Sequence, residues 1–188
     1  MNRREITETG KKLYTSGLVC GRSGNLSCRI DKNHILITST GSFLGNLTSK
    51  DILKVSLDRP EKRVSSEFPL HCTIYKNFPV SCIIHCHPPL TNAYFATRFS
   101  LKPLTLETDF YLPKIPVIKQ TSPTVKNIKQ VIKALKEAHL VVLKNHGVVC
   151  MGHNFKDLLY LIETLENAIK VVAVARLFKK SSFNKLEN

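Results

Sequence analysis

Apolar residues recur at intervals of three and four over residues 154–178, where Phe155, Leu158, Leu159, Ile162, Leu165, Ile169 and Val172 fall on one face of a helix. Elsewhere the chain alternates short apolar runs with polar turns. Residues 25–30 and His34–Thr38 read as two strands joined by the turn Asp31-Lys32-Asn33. Residues 52–57, 115–118, 140–143 and 148–151 read as further strands. The dense run at 80–86, stopped by His87-Pro88-Pro89, reads as a buried one. Helices are predicted over 4–16, ended by Gly17, over Phe68–Asn77 and over 91–98. The second of these takes a serine of Ser65-Ser66 as N-cap and tolerates Pro69 in its first turn. Ser122-Pro123 predicts another helix reaching about residue 137, capped by the serine. Residues 102–114 show no clear period and are expected to form a loop with at most a short strand. The polar tail 179–188 is expected to fray. The two close strand pairs predict an α/β protein whose sheet is at least partly antiparallel.

A length of 188 residues with 43% hydrophobic content suits one packed domain, expected over 1–178. No apolar run approaches the ~20 residues that cross a bilayer, so no membrane partner is expected. The opening Met-Asn-Arg-Arg-Glu turns to charge before any apolar core forms, which predicts an untargeted, cytoplasmic chain. In a reducing compartment the six cysteines, none in a CxxC pair, are expected to be small buried thiols. The net charge of +14 admits nucleic acid, an anionic surface or a phosphorylated substrate. Its lysines are dispersed and aromatic residues make up only 7% of the chain with no Trp, which argues against nucleic acid.

Three features carry candidate chemistry. In His85-Cys86-His87 the alternation of a strand puts both imidazoles on one face, about 7 Å apart along the chain, where they can converge on one ion. Two incidental histidines at a strand end would look the same. His146 lies in the turn Asn145-His146-Gly147 between two apolar strands and can supply a third nitrogen, or stand exposed. Three histidines would leave a fourth position open, as catalytic metal sites do. Ser65-Ser66-Glu67 precedes a helix, whose free amides and dipole favour an anion. Glu67 there is either a dipole-stabilising acid or a general base beside a metal. The glycine-bearing turns Ser23-Gly24-Asn25 and Thr38-Ser39-Thr40-Gly41 can add amides to the same pocket. His71, one turn beyond Glu67, reads as a helix-face histidine rather than a ligand.

The stretches SGLVCGRSGNLSCRI, ILITSTG, SSEFPLHCTIYKNFP, CIIHCHPP and VVLKNHGVVCMG, followed by the long amphipathic helix, stand in an order that resembles the class II aldolase family of the fuculose-phosphate aldolase type. The resemblance covers residues 14–178. It implies a three-layer α/β/α sandwich around a largely antiparallel sheet, assembled as a homotetramer with sites at subunit interfaces. It implies that His85, His87 and His146 bind a divalent ion, usually zinc, and that Glu67 is the acid/base group and a further ligand of the resting metal. Asn25, Thr40, Gly41, Ser65 and Ser66 would hold substrate phosphate. The activity implied is cleavage of a phosphorylated ketose, such as L-fuculose 1-phosphate, to dihydroxyacetone phosphate and an aldehyde.

The tyrosine that relatives use from a neighbouring subunit, as proton donor to the aldehyde oxygen, has its approximate place in Pro103-Leu104-Thr105-Leu106-Glu107, with Tyr111 four residues past Glu107. Lys119-Gln120-Thr121-Ser122-Pro123 lacks the tyrosine and glycine of many relatives. Sugar-phosphate 4-epimerases of the family generally carry aspartate where Glu67 stands. Methylthioribulose-phosphate dehydratases usually lack the serine-serine-glutamate arrangement. Non-catalytic heads such as those of adducins lose metal ligands that are present here. A basic-surface nucleic-acid binder is the remaining alternative, and would not need the three histidines.

Overall fold

The computed structural model describes residues 1–183, with side chains described to residue 178. Seven strands form one sheet: β1 (Asn25–Arg29), β2 (His34–Thr38), β3 (Ile52–Ser56), β4 (Cys82–Cys86), β5 (Val117–Lys119), β6 (Leu140–Lys144) and β7 (Gly147–Gly152). Their order is β3-β2-β1-β4-β7-β6-β5, and every neighbouring pair is antiparallel except β5 with β6. Among the described residues six α-helices flank it: α1 (Arg3–Thr15), α2 (Phe68–Asn77), α3 (Pro89–Thr97), α4 (Leu106–Tyr111), α5 (Ile128–Leu135) and α6 (Phe155–Phe183).

Alternation along the strands builds two cores. Leu26, Cys28, Ile84, Cys86, Val148 and Cys150 pack with Ile6 and Leu13 of α1, Phe95 of α3 and the apolar face of α6. Ile35, Ile37, Ile83, Val141, Val149 and Met151 point the opposite way and pack with α2 and α5. The result is the three-layer sandwich around a largely antiparallel sheet. Because both faces are covered, the central strands β4, β6 and β7 read as solid apolar runs rather than alternating ones. Five of the six cysteines are buried, Cys20 is exposed, and none is in a disulfide.

Several boundaries differ from the sequence expectation. The helix expected from Ser122 begins only at Ile128. The Ser122 hydroxyl accepts the Thr124 amide in a local turn, and the Val125 amide donates to Glu67, so these N–H groups are committed outside any helix. Neither serine of the 65–66 pair caps α2: the N-cap position is Glu67, and Ser65 Oγ instead accepts the Glu67 amide at 3.2 Å. Pro69 does sit in the first turn of α2, as expected. Residues 102–114 contain no strand but the short helix α4. The strand expected at 115–118 lies at Val117–Lys119. Helix α6 runs on through Phe183, beyond the expected end at 178, and the rest of the polar tail, 184–188, lies outside the described residues.

The centre of the sheet is held by close backbone approach. Gly24, in the left-handed region at φ +83°, sits where a Cβ would meet the His85 carbonyl oxygen at 2.9 Å. Gly147, across the other side of β4, sits where a Cβ would meet the Cys86 carbonyl oxygen at 2.3 Å. Backbone cannot yield cheaply at either place. Gly147→Ala is therefore expected to lower unfolding free energy by about 1–3 kcal/mol, measured as a shift of the chemical denaturation midpoint at unchanged slope.

Candidate functional site

Antiparallel pairing delivers chemistry-bearing residues to one end of the sheet. The start of β1 carries Asn25, the end of β2 leads to Ser39-Thr40-Gly41, the end of β4 carries His85 with His87 just past it, and the β6–β7 turn carries His146. The register places Asn25 directly opposite His85, and His85 opposite Val149. These residues line one polar cleft of about 150 Å³ together with Ser65, Ser66, Glu67 and Pro123.

His85, His87 and His146 converge, with one ring nitrogen of each within 4.8 Å of the others. His85 Nδ1 donates to the Val148 carbonyl at 2.9 Å, which fixes the tautomer and leaves Nε2 as a bare lone pair aimed at the cluster. That nitrogen lies 3.1 Å from His87 Nε2. His146 Nε2 is buried with no hydrogen-bond partner. Burial pushes the His85 pKa well below its ordinary value, and the neighbouring His87 and His146 push it further. Burial, then His146, holds His87 down to about 4, and burial lowers His146. All three imidazoles are thus neutral near pH 7, the state in which they ligate. An orphaned buried nitrogen beside a bare lone pair, all in a nitrogen-only donor set, fits a divalent cation.

Glu67 ends the segment before α2 with its carboxylate turned inward and buried. Oε1 accepts the Val125 amide at 3.0 Å and lies 4.0 Å from His146 Nε2. Burial raises its pKa, against the lowering effects of the Val125 amide and Lys126. It therefore stands within reach of the histidines either as a proton carrier or as a further ligand. The non-helical course of residues 121–127 serves this site by bringing the Val125 amide and Pro123 to it.

The remaining wall of the cleft is built from loops tied to one another. The Thr40 amide donates to the Arg63 carbonyl at 2.7 Å, and Ser39 bridges Val64, so the 39–42 and 63–66 turns form one unit. Gly41 takes φ +70° at this junction. Ser65 is buried, Ser66 is exposed, and Asn25 is buried at the cleft floor. Arg22 also lines the cleft and adds a fixed positive charge that the residue-by-residue reading did not single out, although it lies inside the quoted G-R-S-G-N stretch.

Two residues behave differently from the rest. Tyr111 is not brought to the cleft: it is exposed on α4 and lines a separate groove against α6 with Asp157 and Tyr160. His71 lies on α2, as expected, but on its buried face, and its Nε2 is 2.7 Å from Asn25 Oδ1. It holds no place in the histidine cluster. Only the i+4 spacing from Glu67 hinted that it turned toward the site.

The family model described as Class II Aldolase and Adducin N-terminal domain matches residues 4–173. The L-fuculose phosphate aldolase of Methanocaldococcus jannaschii is 31% identical, over 96% of this chain and 100% of its own length. A 3-oxo-tetronate 4-phosphate decarboxylase of Pectobacterium atrosepticum is 30% identical, over 92% of this chain and 84% of its own. The crystal structure of L-fuculose-1-phosphate aldolase from Thermus thermophilus superposes with a TM-score of 0.86 at 27% identity, over 94% of this chain and 95% of that one. A decarboxylase was not among the activities the sequence suggested.

The nitrogen cluster generates a direct prediction. After chelator treatment, the protein is expected to take up one equivalent of a divalent ion per chain, read by metal analysis after gel filtration. His85→Ala and His146→Ala are each expected to fall well below one equivalent while keeping the far-ultraviolet circular dichroism of the parent. Full uptake by both variants would place the ion elsewhere.

Proposed function

The chain belongs to the Class II aldolase and adducin N-terminal domain family, and on that premise we propose that it is a zinc-dependent lyase that breaks a carbon–carbon bond of a phosphorylated ketose, L-fuculose 1-phosphate or a close analogue, to give dihydroxyacetone phosphate and an aldehyde. One observation carries the reading: a single cleft sets three neutral imidazoles beside a buried carboxyl and a wall of hydroxyls, amides and Arg22. Among the described residues no helix is long and apolar enough to cross a membrane.

The chain's own groups divide the work. Asn25, Thr40, Gly41, Ser65 and Ser66, with Arg22, would hold the phosphate, so that binding energy remote from the reacting carbons positions them. His85, His87 and His146 would hold zinc, which draws electron density from a substrate carbonyl and stabilises the charge left when the adjacent bond breaks. Glu67 would then deliver a proton to the enediol carbon of the phosphate-bearing fragment, the one freed when the bond breaks, and remove it in the reverse direction. Burial raises its pKa, which favours the proton-carrying form. Tyr111 would exchange the proton of the aldehyde oxygen. Its distance from the cleft of its own chain fits a homotetramer in which a second copy supplies it, with the exposed apolar residues of α4 at the contact. We place this chemistry in the cytoplasm.

A second reading is favoured by the Pectobacterium relative and by the position of Tyr111. Loss of carbon dioxide from a 3-oxo acid 4-phosphate leaves the same phosphorylated enediol, and carbon dioxide departs without a proton to exchange. The phosphate cradle, the metal ligands and Glu67 serve both reactions unchanged.

Release of dihydroxyacetone phosphate from a panel of ketose 1-phosphates and from 3-oxo-tetronate 4-phosphates, with and without chelator, tests both. Chelator-sensitive release from a ketose 1-phosphate is expected. Release from the 3-oxo acid alone would establish the second reading, and none from either by folded, metal-loaded protein would overturn both. Glu67→Gln is expected to lower turnover by ~10²–10⁴-fold while binding phosphate as the parent does.

A further inference from the structure

Behind the cleft floor lies a buried polar chain of which the proposed chemistry uses only Asn25. Tyr75 Oη is 2.8 Å from Ser27 Oγ, Ser27 Oγ is 2.6 Å from His71 Nδ1, and His71 Nε2 is 2.7 Å from Asn25 Oδ1. All four residues are buried, with Ser27 and His71 fully so. Ser27 and Asn25 stand two apart on β1 and share a face, while His71 and Tyr75 are four apart on α2 and share another. The network therefore spans the sheet–helix interface and ends at the cleft.

Proton counting fixes its direction. The Asn25 carbonyl oxygen can only accept, so His71 Nε2 carries the proton it receives. A neutral imidazole then presents Nδ1 as an acceptor, Ser27 must donate to it, and Ser27 Oγ accepts from the Tyr75 hydroxyl. Every donor is used. Reversing the Asn25 amide would make His71 Nδ1 the donor to Ser27 and leave one of the two buried hydroxyls, Ser27 or Tyr75, without an acceptor, a costly orphan. The carbonyl end of the Asn25 amide is thus engaged from behind, and the end left to face the cleft is its NH₂, two donors and no acceptor.

We propose that His71 is a positioning residue, backed by Ser27 and Tyr75, that locks the Asn25 amide with its N–H groups toward the cleft and so commits that wall to a phosphate group. This rests on the reading of the cleft wall as a phosphate cradle. The arrangement makes the Asn25 position selective for an acceptor-rich anion, because an amide free to rotate would offer its oxygen half the time and repel one.

Two substitutions separate orientation from bulk. In His71→Gln the side-chain amide reaches the place of Nε2 and can still donate to Asn25, whereas in His71→Asn it reaches only the place of Nδ1 and cannot. Titration calorimetry of inorganic phosphate into the zinc-loaded full chain is expected to give Kd within about threefold of the parent for His71→Gln and weakened about tenfold or more for His71→Asn. Equal losses in both, or parent-like binding by His71→Asn, would overturn the positioning role. Asn25→Asp replaces the two donors with an acceptor at the same volume and is expected to abolish phosphate binding. If Asn25→Asp binds as the parent does, the cradle reading itself fails, independently of His71. Nitrogen-15 spectra of histidine-labelled parent protein need no variant to fold: His71 is expected as the Nε2–H tautomer, and an Nδ1–H signal would overturn the proposal.

Discussion

The site depends on how closely two segments of the chain, one on either side, approach the end of β4. Gly24 on one side and Gly147 on the other leave no room for a side chain against the His85 and Cys86 carbonyls. That double contact pins the strand end laterally, and the Nδ1 bond from His85 to the Val148 carbonyl pins its imidazole. His87 follows by strand alternation. His146 follows because the turn containing Gly147, with Asn145 in the left-handed region, returns the β6–β7 connection directly over the same place. A histidine cluster that could hold a divalent ion is thereby built from backbone fit.

The electrostatics of the cleft divide along the same lines. Around the histidines, burial suppresses charge: three imidazoles are held neutral and the Glu67 carboxyl is pushed toward its protonated form. Around Asn25, Thr40 and the 65–66 turn, the groups are neutral donors backed by Arg22. One half suits a cation and the other an anion. A substrate that carries a phosphate at one end and a carbonyl a few atoms away matches both halves at once.

Much of this was legible in the chain itself. Strand positions came from runs of apolar residues bounded by turn chemistry, and His85, His87 and His146 from residue type, strand alternation and a glycine-bearing turn. What escaped did so for physical reasons. Helix α4 left no periodic trace because its apolar residues face outward, with Leu106 84% and Phe110 78% exposed. The delayed start of α5 reflects amides drawn off by the Ser122 hydroxyl and by Glu67, a tertiary partner more than fifty residues away in sequence. The partners of His71 escaped because i+4 spacing gives a helix face but not which face the sheet covers. They lie on β1, and only the packing of α2 against the sheet brings them together.

The relatives split between aldol cleavage and decarboxylation, yet both reactions leave the same phosphorylated enediol, and in the proposed reading the groups gathered here would address that shared fragment rather than the one that departs. Hydrogen exchange into dihydroxyacetone phosphate isolates that step from the choice of leaving group. In deuterium oxide, the metal-loaded protein is expected to replace one hydrogen of the carbinol carbon stereospecifically, seen by proton NMR, and chelator-treated protein to replace none. Absence of exchange above buffer by folded, metal-loaded protein would contradict the account for both reactions.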